Sequence, residues 1–294
     1  MITFSSKKYF GLRIRIDGEP ISESAVLEFI QDHASTFSKM GLSFFEMTVG
    51  LAFEYFSKSN IDIAIIETGM GGRLDSTNVI TPILSVITNI GLDHMQFLGE
   101  TIEAIAREKA GIIKPSVPVV IGQYNPQTIT VFESIAAQLQ APLLKAQDHE
   151  HTEYQSDLIG SYQQLNQKTV LTALGLLKSL GYQLDEYHVV KGLGQVQLST
   201  GLMGRWQVIG QNPMIICDTA HNIDGLTMTM TQLKDLDAPQ LHLVLGFVND
   251  KALDQIFDCL PQLGHYYFCA ANNPRAMEAS DLNELGQRKG LNGR

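Results

Sequence analysis

IDIAIIETGMGGRLDSTNVITPILSVITNIGLDHMQFLGETIEAIAREK, residues Ile61 to Lys109, decides the fold. It opens with a short apolar run, Ile61 to Ile66, that stops at Glu67 and a glycine cluster, Gly69, Gly71 and Gly72. Such a run reads as a buried strand feeding a turn. A second run, Ile83 to Ile87, ends the same way in Thr88 and Asn89, followed by Gly91, Leu92, Asp93 and His94. Two buried strands would then each deliver ligand atoms just past their carboxyl ends, where open α/β sheets place their sites. Glu67, Asp93 and His94 suit Mg2+ or Mn2+, with water or phosphate completing the shell. In the plainer reading Glu67 caps a helix and His94 is a satisfied loop histidine, since such residues are common at strand ends.

Working outward, strand and helix patterns alternate. LRIRID (Leu12 to Asp17) has period two and runs into Gly18; Ser22 and Glu23 open an amphipathic helix; Ser43 heads a second, with Glu46 as its box partner. The stripe Phe44, Phe45, Val49, Ala52 and Phe56 is that helix's core face. Downstream come a strand at VPVVIG (Val117 to Gly122), a helix from Pro126, a strand near Pro142 to Leu144 and a long helix over Ser161 to Tyr182. This is the signature of an α/β protein with a mostly parallel sheet covered on both faces. STG at Ser199 to Gly201 interrupts the pattern, which divides the chain into domains 1–199 and 200–294. The second, smaller and Rossmann-like, reads as strand, turn, strand, then an Asp-x-x-His-Asn turn into a helix, with further strands at Leu241 to Leu245 and Tyr266 to Cys269.

Composition narrows the classes. A 294-residue chain with 44% hydrophobic residues is long enough for two domains with cores, and its mean hydropathy is +0.01. No apolar run approaches the roughly 18 residues of a membrane span, and MITFSSKKYF is too short and polar for a signal peptide. A cytoplasmic protein with no membrane partner is expected. Net charge of −10 argues against a nucleic-acid surface. Anionic substrates would be held locally, by glycine turns, helix N-termini, metal ions and a few placed cations. Cys217, Cys259 and Cys269 are widely spaced and form no CxxC pair, so they read as reduced core residues.

ETGMGGRLDSTN (Glu67 to Asn78), ITNIGLDHMQFLG (Ile87 to Gly99), EKAGIIKP (Glu108 to Pro115) and GFVNDK (Gly246 to Lys251) resemble the folylpolyglutamate synthase/dihydrofolate synthase family, within the Mur ligase superfamily. The similarity runs from about Arg13 to Arg275. It implies an ATP-dependent ligase: the γ-phosphoryl of ATP activates a carboxylate as an acyl phosphate, which the amine of glutamate attacks, on a folate or on dihydropteroate. Such chemistry needs alignment and charge neutralisation more than covalent help. The resemblance assigns Mg2+ to Glu67 and His94, a carbamate to Lys109, and a K+ requirement to the reaction. It places Arg205 at the ATP phosphates and Asp218 and His221 at the nucleotide turn. The start of the long helix resembles the pattern His-Gln-x-x-Asn, with Tyr162 in place of the histidine and Gln163 and Asn166 retained, so Asn166 would meet the adenine edge. Phe45 would wall the pteroyl pocket and Asp75 would contact the pteridine. The partners implied are ATP, glutamate and a reduced folate or dihydropteroate, met by a monomer.

The chain also departs from that pattern. No Gly-x-x-x-x-Gly-Lys-Ser/Thr phosphate loop occurs: GMGGRLDST and GLMGRW both lack its lysine-hydroxyl ending. Phe4, Ser5, Ser6 and Lys7 stand where Ser-Pro-His-Leu would, and the closing strands of the second domain are not matched. The expectation from sequence is therefore a chain truncated at both ends, with an unfilled strand position in the first sheet and little or no ligase activity. A non-catalytic folate-binding remnant, or another Mur-type amide ligase, are the alternatives.

Overall fold

A computed structural model describes residues 14–92, 95–236, 238–249 and 253–293. The chain folds as two compact units: Met1–Ile90 with Met95–Glu150 and Leu171–Gln183, and Gly91–His94 with His151–Val170 and Leu184–Arg294.

The first unit begins with a hairpin, β1 (Arg15–Ile16) and β2 (Glu19–Pro20), closed by Asp17 and Gly18 at φ 51° and 86°. Two positive φ values in a two-residue loop are what a hairpin turn of matching twist requires, and glycine takes its share without strain. Helix α1 (Glu23–Met40) starts at Ser22, whose hydroxyl accepts from Ala25 N, and stops at Gly41 in the left-handed region. Helix α2 (Phe44–Lys58) carries the expected capping box between Ser43 and Glu46. Ile14, Ile21, Phe29, Leu51, Ala52 and Phe56 form a small core between these elements. The stripe is offset from expectation: Thr48, Val49, Leu51, Ala52 and Phe56 are buried, while Phe44, in the first helical turn, is 57% exposed.

The second layer is a parallel sheet, β3 (Ser85–Ile87), β4 (Val119–Ile121) and β5 (Leu143–Lys145), in that order. It is crossed by α3 (Met95–Leu98), α4 (Ile102–Ala110) and α5 (Pro126–Gln138), the last with Asn125 as N-cap and Pro126 at its first position. Central strand β4 is fully buried at all three residues, as a strand covered on both faces must be. Its core continues into Ala106, Ala110, Ile113, Ile129 and Phe132. The run Ile61 to Ile66 departs from expectation. Only Ile66 makes a bridge, and Ile63 and Ile65 are 45% and 64% exposed. An apolar run supplies side chains for a core, but a strand also needs a neighbour for its backbone groups, and among the described residues no ladder is assigned to 61–65.

Helix α6 (Gln163–Ser179) follows, ending before Gly181 at φ 99°. Its buried positions include Thr169 and Thr172, whereas Val170 is exposed. In the second unit, α7 (Glu186–Gly194) and α8 (Val196–Thr200) precede a hairpin of β6 (Gln207–Gln211) and β7 (Met214–Cys217). Asp157 accepts from Val196 N and Gln197 N at 3.0 and 2.8 Å, satisfying the first turn of α8. Helix α9 (Ile223–Lys234) is capped by Asn222. A parallel sheet then runs β8 (His242–Leu245), α10 (Leu253–Asp258), β9 (His265–Phe268), α11 (Ala279–Arg288), β10 (Asn292–Gly293), with β9 central. Leu226, Met230, Leu243, Ile256, Phe257, Tyr266, Phe268 and Leu282 make its core. The Tyr266 hydroxyl donates to Pro261 O and burial pushes its pKa up to about 12. The cysteines are free, but Cys217 and Cys269 are exposed rather than core residues, because each lies at the end of its strand and not in the packed face. Among the described residues no helix is long and apolar enough to cross a membrane.

Candidate functional site

In the first unit the glycine cluster folds around one carboxylate. Asp75 Oδ2 accepts from Gly69 N and Met70 N at 2.9 and 3.0 Å, and Oδ1 from Thr77 N and Thr77 Oγ1 at 3.0 and 2.5 Å. Asp75 is also the N-cap of a short 3-10 turn, Ser76–Val79. The sequence ETGMGGRLDSTN is thus a closed loop, with its glycines where backbone must approach closely.

That loop is docked on the end of α4. A Cβ on Gly72 would lie 2.9 Å from Lys109 O, and one on Gly111 would lie 2.3 Å from Arg73 Cα. Arg73 N donates to Glu108 O at 2.8 Å, and its guanidinium grips Glu108 Oε1 from Nε and Nη2 at 3.0 and 2.9 Å. Asn78 Nδ2 donates to Arg73 O and Gly111 O, and Lys114 Nζ donates to Asn78 O. On the other side the Phe45 ring covers Gly69, so close that a Cβ there would be 2.6 Å from Cζ.

Of the residues singled out by sequence, Phe45 and Asp75 therefore meet at Gly69 and Lys109 approaches the same loop through its carbonyl oxygen at Gly72; Glu67, exposed, enters the loop two residues before Gly69. Lys109 is half-buried. His94 and Asp93 lie outside the described residues, as does part of GFVNDK. Among the described residues no group of three or more His, Cys, Asp and Glu could hold a metal ion. The donor chemistry nevertheless fits magnesium: Glu67 is an exposed carboxylate, and Mg2+ commonly takes only one or two protein carboxylates.

The second unit carries the other cluster. Asp218, directly after β7, accepts from Tyr162 Oη and Trp206 N on Oδ2 at 2.9 and 2.7 Å, and from Ala220 N on Oδ1 at 2.8 Å. Thr219 N and Oγ1 donate to Gly204 O at 2.9 and 3.0 Å; Arg205 Nη1 contacts the Thr219 hydroxyl, and His221 Nδ1 is 3.0 Å from Thr219 O. Gly204 has φ +69°, and a Cβ there would come within 2.6 Å of Thr219. Arg205, Asp218 and His221 are thus one cluster, where the Gly204 to Trp206 bend meets the turn after β7. Asn166 is one helical turn from Tyr162 and donates to Gln163 Oε1 at 2.9 Å.

Sequence reasoning missed the residues that organise these loops: Arg73, Glu108, Thr219 and Trp206. Each lies inside a string already singled out, but a bond such as Arg73 to Glu108, 35 residues apart, leaves no periodic trace. Tyr162 was visible only as a departure.

With that geometry in place, similarity to known proteins defines the class first. A model of the Mur ligase middle domain matches residues 42–209, and one of the Mur ligase, glutamate ligase domain matches 204–293. The folylpolyglutamate synthase of Lacticaseibacillus casei is 33% identical over 275 residues, covering 82% of this chain and 63% of that protein. The dihydrofolate synthase/folylpolyglutamate synthase of Escherichia coli is 31% identical over 293 residues, covering 94% and 68%. The structure of E. coli FolC in complex with DHPP and ADP superposes with a TM-score of 0.85 at 26% identity, over 100% of this chain and 72% of that one. The chain belongs to the folylpolyglutamate synthase/dihydrofolate synthase family, an enzyme family of ATP-dependent Mur-type ligases.

Proposed function

We propose that the chain belongs to an ATP-dependent ligase that adds L-glutamate to a reduced folate, to dihydropteroate, or to both. The observation that supports this reading is the docking of the Asp75 loop on the backbone of Glu108 to Gly111, at the end of the helix that carries Lys109. On it, residues 1–199 form the central ATP-binding domain and 200–294 the glutamate ligase domain. ADP in the E. coli structure supports a nucleotide site, and DHPP there supports a pteroyl one.

Phe45 supplies an aromatic wall for the pteroyl group, and Asp75 shapes the loop beneath it, its four accepted bonds holding Gly69 and Met70 in place. Glu67 and His94 would hold Mg2+, whose bound charge would stabilise the phosphate oxygens during transfer. Lys109, carbamylated, would present an anion at the same loop. K+ would assist from a site that no described residue identifies. Arg205 offers a guanidinium fork for phosphate, Asp218 and His221 line the nucleotide turn, and Asn166 reads the adenine edge. The protein works as a cytoplasmic monomer on small molecules, without nucleic acid or membrane.

A second reading is a folate-binding chain without turnover. ADP release by the purified chain with magnesium, potassium, glutamate and either tetrahydrofolate or dihydropteroate separates the two. Substrate-dependent release, with a product heavier by one glutamyl residue, supports ligase action. Folate binding with no release supports the alternative, and neither binding nor release sinks both.

A further inference from the structure

Asp218 is the centre of a knot rather than a free carboxylate. Its three accepted bonds come from three separate segments: the start of α6 through Tyr162, the Gly204 to Trp206 bend, and its own turn through Ala220. A carboxylate has about four acceptor positions, so one remains, on Oδ1, for a ligand hydroxyl. Two of the three donors are backbone N–H groups whose place is fixed by the bend itself. The third is a side chain, and it links the turn to the start of α6.

Tyr162 is held independently of Asp218. Its ring lies over Gly160, where a Cβ would be 2.8 Å from Cε1, and the neighbouring Ser161 N donates to Gln232 Oε1 at 2.7 Å. The hydroxyl is thus brought to Oδ2 by packing, before any ligand arrives. We propose that Tyr162 is a positioning residue for nucleotide: its hydroxyl fixes the Asp218 carboxylate, and with it the Arg205 and His221 turn, in the orientation that nucleotide requires. The inference rests on the nucleotide reading above. Burial and the Asp218 bond push the Tyr162 pKa well above its ordinary value, which favours the protonated donor. A histidine at this position would behave differently. A neutral imidazole divides one N–H between two nitrogens, whereas the protonated ring donates from both and is attracted to Asp218.

The test uses MgADP and the full chain. Trp206 is the only tryptophan, is 3% exposed, and donates its backbone N–H to Asp218, so its emission reports on this turn. Tyr162→Phe keeps the ring and removes the donor; MgADP affinity should fall about tenfold, the size of one hydrogen bond to a charged group. A purely structural role would lower the unfolding midpoint and leave the affinity of the folded protein unchanged. Tyr162→His should recover affinity towards about pH 5.5 and lose it towards about pH 8, with an inflection near the ordinary histidine value of about 6.5. Asp218, Arg205 and His221, the charged or titratable groups facing this position, are kept in all three proteins, so their titration cancels in the ratio to wild type. Tyr162→Phe binding MgADP within about twofold of wild type overturns the proposal. If that variant does not fold, a flat ratio of Tyr162→His to wild-type affinity across pH overturns it instead. Wild type failing to bind MgADP would sink the nucleotide reading itself, and the inference with it.

Discussion

Asp75 shows how one side chain can set a loop. Its carboxylate replaces four separate backbone and hydroxyl contacts with water, and it is the acceptor that meets the N–H groups of Gly69 and Met70. Removing it leaves N–H donors facing a gap and strips the cap from the following turn. Asp75→Ala should cost about 2 kcal/mol in urea unfolding, the range for bonds to a charged acceptor at a cap. Asp75→Asn keeps one acceptor oxygen and should lose about half as much. An alanine variant as stable as wild type would show that the loop is held by its docking alone. The docking has its own residue-scale test. The Arg73 to Glu108 pair is bidentate but its side chains are 56% and 24% exposed, so Glu108→Gln should cost only about 0.5 kcal/mol. Gly111→Ala drives a methyl to 2.3 Å from Arg73 Cα, which is backbone and cannot rotate away. It should cost about 2 kcal/mol or more and shift the Lys109 end of α4. Comparing the two by thermal unfolding tells whether close packing or charge seats the loop.

At the scale of elements, α1 and α2 are joined by a small charge cluster: Glu54 meets Lys58 at 2.9 Å and His33 at 2.7 Å, and Lys58 also meets Glu28 at 3.2 Å. Lys58 first, then His33, holds the Glu54 pKa below its ordinary 4.5. A depressed folded value means the contribution is complete above 4.5 and is lost as pH falls through the folded value. Wild type should therefore lose its advantage over Glu54→Gln in acid unfolding only below that point; an advantage already lost at neutral pH would remove the cluster from the account. These two helices were also the most legible elements in the chain. Ser22, Ser43 and Glu46 announce their starts because a cap is a local bond between residues three apart. Strand β4 was legible for a similar reason, since Val119 to Ile121 is apolar throughout and buried throughout. The run Ile61 to Ile66 was not, because strand formation depends on a partner that the run does not encode. The same limit applied to the site. Glu67 could be singled out by type and setting, and Asp75, Lys109 and Asp218 only through the resemblance, while Thr77, Arg73 and Tyr162, which bond Asp75, Glu108 and Asp218, act through contacts distant in sequence or through hydroxyls of ordinary appearance.

For the whole molecule, each unit has a core of its own, around Phe132 in the first and Phe257 in the second. Both rings are fully buried. A chain built this way need not unfold in one step. Phe132→Ala and Phe257→Ala should each cost about 3 to 5 kcal/mol, and each should lower a different part of the unfolding profile. That pair of variants labels the two units and makes the nucleotide reading testable without turnover. A ligand that binds only the folded form stabilises it by about 2.7 kcal/mol at about 100 times its dissociation constant. If Arg205, Asp218 and His221 anchor the nucleotide, MgADP should raise the step that Phe257→Ala lowers, and Asp218→Asn should reduce that rise while leaving the Phe132 step where it was. Calorimetry or hydrogen exchange across both units measures this directly. A rise confined to the Phe132 step would move the nucleotide anchor to the glycine loop beside Lys109, and the turn after β7 would then be a structural knot with no ligand of its own.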